Sequence, residues 1–274
     1  MIHRQDHLES ARRDPARPRG SGHGVSPTSG ATPPTTWGPA SAHAWRERVV
    51  GATALALATS FLVQNVVVAW VAAPAFGDPI ATVFAFHAQH RAAVAVVVGL
   101  ESLNLLLLLG FAAGLHGLVR RRGGRGQEWS RFGLAAAATL GAVYVLYAVL
   151  WTGVLLAAGE LAEPGPAFVL TWQMHAAAYA LTFPALGATF LGAGLAANSS
   201  LLTPPWQRLI ALVGPALSVA AGAFVVPIAD GSPLLFVGLV GFALWLVWLL
   251  ATGVRLVRAA SDGLTMSSTT PRGA

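Results

Sequence analysis

Glu101 is the only acidic residue well inside a long apolar stretch. It lies ten residues past Arg91, so a helical rise of 1.5 Å per residue puts it roughly 15 Å below the nearest charged boundary. An ionisable group at that depth is costly unless it is paired, neutral or hydrated, so it marks a proton path, a ligand site or a polar lock between helices. His175, eight residues past Ala167, lies roughly 12 Å deep on the same arithmetic, and Gln64 and Asn65 fall at a similar distance before Ala72. Three segments therefore place polar groups at one depth.

Helical spacing gathers these groups further. At 100° per residue, His87, His90, Val94, Glu101, Leu108 and His116 share an arc of roughly 80°, with Asn104 just beyond its edge. Thr171, His175, Tyr179 and Thr182 form a comparable stripe on another helix. The sequence thus predicts an intramembrane polar cluster of Glu101, His175, Gln64, Asn65, Asn104 and Tyr179. It reads either as a pocket with Glu101 and His175 as partners or as a set of interhelical hydrogen bonds that locks a bundle.

Other chemistry finds less support. His87-Ala-Gln-His90 has ligand-like i, i+3 spacing, which makes His87 and His90 weak candidates for a zinc clip with Asp78 nearby. A haem held between spans needs two His at matched depth on facing helices, and His90, His175 and His116 do not supply such a pair. No HExxH, P-loop or GxSxG motif occurs, so no catalytic residue, resident metal or cofactor is expected. With no Cys, thiolate sites and disulfides are excluded.

The elements that must position the cluster follow from composition. Of 274 residues 55% are apolar and 10% charged, against roughly 25% charged in a soluble domain. Stretches 49–77, 102–119, 132–159, 209–229 and 231–254 contain no Asp, Glu, Lys or Arg. Each is about as long as a bilayer core is thick, roughly 20 helical residues. The reading is an all-α, polytopic transmembrane six-helix bundle over 45–258. Its spans are expected near 48–71, 92–119, 132–158, 167–195, 208–228 and 234–256. The Ala81–Arg91 segment is expected to extend the second span outward as one long helix. Residues 1–44, rich in Pro, Gly, Ser and Arg, read as a disordered cytoplasmic tail, and 259–274 as a disordered cytoplasmic C-terminus.

All 17 basic residues are Arg, and 16 fall on one proposed side, Arg91 being the exception. The bias places both termini in the cytoplasm. It explains the net charge of +6 without a nucleic-acid partner. Arg120, Arg121, Arg122 and Arg125 are expected to touch anionic lipid headgroups. Trp45, Trp129 and Trp206 fall at the proposed inner boundaries, and Trp70 and Trp172 near the outer ones, as a headgroup belt requires. Pro184 and Pro215 should kink their helices. Gly110 and Gly114 have the small-xxx-small spacing that permits close helix approach.

The Phe86-His87-Ala88-Gln89-His90-Arg91 segment, the Arg120-Arg-Arg-Gly-Gly-Arg125 loop and the compact closing pair of spans resemble a broad group of uncharacterised six-span membrane proteins from actinobacteria. The resemblance covers about 45–258 and implies the fold and a bacterial cytoplasmic membrane. It implies no activity and no site residue. Three functions stay open: a non-enzymatic interaction, accessory or sensory role; a small proton-coupled transporter or permease using Glu101 and His175; and a membrane redox or other enzyme. The lack of internal repeats and the single buried acid favour the first. A cavity reaching Glu101 would favour the second.

Overall fold

The computed structural model describes residues 39–268, with side chains from 42 to 261; the segment 1–38 and the last residues 269–274 lie outside the described residues. The described chain folds into α1 (Pro39–Trp70), α2 (Ile80–Gln89), α3 (Arg91–Arg121), α4 (Gln127–Glu160), α5 (Pro166–Ser199), α6 (Pro205–Gly222), α7 (Val225–Ala229) and α8 (Leu235–Ser268). Five of these, α1, α3, α4, α5 and α8, are long and apolar enough to cross a membrane. Their length and composition make the chain a multi-pass membrane protein.

Three boundaries depart from the sequence reading. The stretch 208–228 is not one long apolar helix. α6 ends at Gly222, the Phe224 amide bonds back to the Ala221 carbonyl at 2.9 Å, and the short α7 follows. Ala81–Arg91 does not join α3, because His90 leaves helical geometry at φ −108° and ψ 30° and α2 ends at Gln89. The break lets Phe86 and His87 bury inward. α1 and α8 also reach past the expected tail boundaries. Glu47, only 5% exposed, accepts a 2.6 Å bond from Arg122, and Arg48 reaches the Ser261 hydroxyl at 3.3 Å.

Neighbouring helices run antiparallel, as their close contacts show in order. Gly114 lies against Val50 and Gly110 against Thr53, which pairs α3 with α1 within the chain. Gly133 meets Gly192 and Gly153 meets Thr171 between α4 and α5. Gly194, Gly187 and Pro184 meet Ala211, Pro215 and Gly222 in turn between α5 and α6. Gly214 and Ser218 meet Leu244 and Gly241 between α6 and α8, and Gly253 closes on Gly51 of α1. The two prolines therefore sit where glycines of the facing helix leave room. At the α4–α5 crossing backbone approaches backbone: a Cβ on Gly192 would stand 2.5 Å from the Gly133 backbone.

Aromatic side chains fill the arginine-rich half. Trp245 and Trp248 stack at 5.4 Å on α8, and Phe190 of α5 lies 5.0 Å from Trp245. The opposite half is less completely filled, and there the link between α1 and α2 folds over the bundle with Gly77 against Gly231.

These contacts set an expectation for stability. Gly192→Ala should destabilise the detergent-solubilised protein by roughly 1–3 kcal/mol through overpacking. Gly99→Ala on α3, where nothing lies within 4 Å, should be neutral or gain up to about 1 kcal/mol from helix propensity. Thermal denaturation of both variants checks the helix spacing, and equal melting would contradict it.

Candidate functional site

The Gln64 amide of α1 donates to Glu101 Oε1 on α3, and the Asn104 amide, one turn further along α3, donates to Gln64 Oε1 at 2.7 Å. Glu101 is 4% exposed and Asn104 fully buried. The relay spans two helices and directs both donors along one line towards the carboxyl group. Its second oxygen, Oε2, has no partner among the described residues, nor has Asn104 Oδ1. A buried carboxyl oxygen without a partner is costly and needs a proton, a water or a ligand.

Glu101 lines a cavity of about 310 Å³ between α1, α3, α4, α5 and α8, under the link from α1 to α2. Gln64, Asn65, His175 and Tyr179 line it too, while Asn104 stands behind Gln64. Asn65 also donates to the Phe61 carbonyl at 2.8 Å. The structure thus brings the sequence-derived cluster to one place, though not in the expected pairing. His175 does not bond Glu101. Its ring stacks between Tyr147 at 4.5 Å and Trp172 at 5.2 Å, and Nδ1 faces the Tyr147 carbonyl at 3.4 Å. Tyr147 comes from α4, while Trp172 lies one turn before His175 on α5 itself, so aromatic packing rather than charge holds the imidazole.

His87 is a further correction. Its Nδ1 donates to the Val83 carbonyl at 2.8 Å, and Nε2 accepts the Trp151 indole N–H at 3.1 Å. Both nitrogens are committed, which fixes the neutral ring with the proton on Nδ1 and leaves no lone pair for a metal. Burial pushes the His87 imidazole down from its ordinary value, against the opposing effect of the Val83 carbonyl. His90 turns its Nδ1 to the Phe86 carbonyl at 3.2 Å and stacks on that ring. With both ring nitrogens of His87 committed, His87 and His90 do not make the zinc clip their spacing suggested.

Trp172 is 6% exposed and stacks on His175 inside the bundle, so it is not part of a headgroup belt; Trp45, Trp70, Trp129 and Trp206 are exposed. Arg122 is occupied by Glu47, while Arg120, Arg121 and Arg125 are exposed. The aromatic wall was absent from the sequence reading. Tyr144, Tyr147 and Trp151 of α4, with Phe76 from the link, face the polar cluster across the cavity. Their i, i+3, i+7 spacing is a helical stripe, and it was the available signal. Phe76 lies 5.5 Å from Trp172 and 5.3 Å from Tyr179, covering the cavity from the side of the link.

No protein-family model, curated protein or solved structure matches the chain. Fold and site together define a multi-pass helical membrane protein with a partly polar cavity inside its bundle.

Trp151→Phe keeps an aromatic ring but removes the only donor to His87 Nε2 among the described residues. Loss of that buried bond should lower stability by about 1–3 kcal/mol in thermal denaturation. Unchanged melting would mean that the imidazole is satisfied from the cavity instead.

Proposed function

We propose that the chain is a small-molecule carrier of the proton-coupled type, which takes its solute into the cavity beside Glu101. The single observation that carries the reading is the cavity itself, since a purely structural polar lock has no use for about 310 Å³ of space lined by its carboxylate residue. The accessory or sensory role suggested by the absence of repeats has no comparable feature in its favour. In the proposed mechanism Glu101 exchanges a proton as solute enters. Gln64 and Asn104 hold the carboxyl group in place, and His87, His175, Tyr144, Tyr147 and Tyr179 line the same space.

The proposal includes six crossings, with α6 and α7 together making the fifth. What supports this is that α8 runs antiparallel to α1 and to α6. A chain with five crossings would have its first and last spans parallel. The positive-inside bias then puts both ends on the cytoplasmic side of a bacterial cell membrane. The resemblance to actinobacterial six-span proteins belongs to the same reading, as does contact of Arg120, Arg121 and Arg125 with anionic lipid.

Reporter fusions after Ala196 and after Arg258 should read cytoplasmic, and fusions at Glu163 and Asp230 external. An external signal after Arg258 would remove one crossing and the fifth span with it.

Proton exchange has its own test. Glu101→Gln keeps size and hydrogen bonding, so it should melt within about 0.5 kcal/mol of the parent. It should also lose the infrared carboxyl band that titrates with pH in the parent protein. A titration spectrum identical in both would show that Glu101 exchanges no proton and would overturn the coupling.

A further inference from the structure

We infer that the solute is a small organic cation, an amine or alkylammonium group held against aromatic faces and paired with Glu101. The inference rests on the reading of the cavity as a ligand site and names the chemistry of its occupant. The charge inventory decides it. Among the described residues neither Arg nor Lys lines the cavity, so no fixed cation there balances a carboxylate. His87 is locked neutral by Val83 and Trp151, and His175 is held between two rings. An anionic solute would meet Glu101 with no compensating charge. A neutral apolar solute would leave the unpartnered Oε2 as it stands. A cation in the cavity supplies the missing countercharge.

The walls agree with that charge. Tyr147, Trp151, Trp172, Tyr179 and Phe76 present ring faces and edges within one compartment. Such faces attract a cation within about 6 Å of the ring, by about 0.5–2 kcal/mol each as desolvation increases. Tyr144, Tyr147 and Tyr179 line the same cavity, and a phenolic oxygen can accept an N–H donor. The volume of about 310 Å³ is at the small end for ligand cavities, which limits the occupant to a compact amine.

The test uses pairs of probes that differ only in charge, titrated calorimetrically into the detergent-solubilised full chain. Choline is compared with its neutral carbon isostere 3,3-dimethylbutan-1-ol, and benzyltrimethylammonium with its neutral carbon isostere neopentylbenzene. The cations should bind about tenfold or more tightly than the neutral isostere, a difference of about 1.4 kcal/mol. In Glu101→Gln that preference should shrink to about threefold or less, with the aromatic contribution remaining. Trp172→Leu should weaken the cations more than the neutral isostere. Equal or tighter binding of 3,3-dimethylbutan-1-ol would overturn the cation assignment and leave the ligand site standing. Cation preference undiminished in Glu101→Gln would overturn the pairing with Glu101. Binding of no probe by a protein with intact helical circular dichroism would overturn both the cation assignment and the ligand site.

Discussion

A carboxyl group buried among apolar helices must be satisfied from within the protein, and here it is satisfied by halves. Gln64 donates to one oxygen of Glu101 and accepts from Asn104, which joins α1 to α3, while the other carboxyl oxygen is left over. Interhelical polar bonds in membranes contribute roughly 0.6–2 kcal/mol each, so the relay is a modest adhesive. Its greater effect is positional. It fixes the register of two antiparallel helices at the depth where the cavity begins, and it holds the carboxyl group still. A fully paired group would make a lock, whereas a half-paired one is available to a proton or a ligand.

The rest of the bundle can be understood as the means of leaving space at that depth and nowhere else. Glycine contacts draw α4 onto α5, α5 onto α6 and α8 onto α1 to backbone distance. The stacked Trp245 and Trp248 fill the arginine-rich half. In the opposite half, large rings stand around a void instead of closing it, and the break at His90 turns His87 towards Trp151. Phe76, carried by a link that Gly77 and Gly231 hold down, covers the void. The same packing logic thus yields tight crossings at one end and a chamber at the other.

Much of this was legible in the sequence because cost is legible. A lone acid in a charge-free run, amides at the same depth and the arc of His87, Glu101 and Leu108 all declare themselves through period and position. Partners were harder to read. Depth matching brought Glu101 and His175 together, but depth gives no azimuth between helices, and the structure pairs Glu101 with Gln64 and His175 with two rings. Trp172 looked like a headgroup anchor because hydropathy cannot distinguish the edge of a span from the mouth of a cavity. The end of α2 was missed since His90 is no helix breaker; what bends the chain there is the burial of Phe86 and His87, a tertiary effect. The fifth span was read as continuous, although Gly222 and Pro227 on either side of the break gave local warning of it.

Gln64 and Glu101 act as a coupled pair across α1 and α3. A double-mutant cycle on thermal stability measures this directly, using Gln64→Leu, Glu101→Leu and the two combined. Each single change strands the other partner, so the double variant should be less damaged than the sum by about 1 kcal/mol or more. Additivity within about 0.3–0.5 kcal/mol would mean that the two side chains are energetically independent and that no coupling joins α1 to α3 through them.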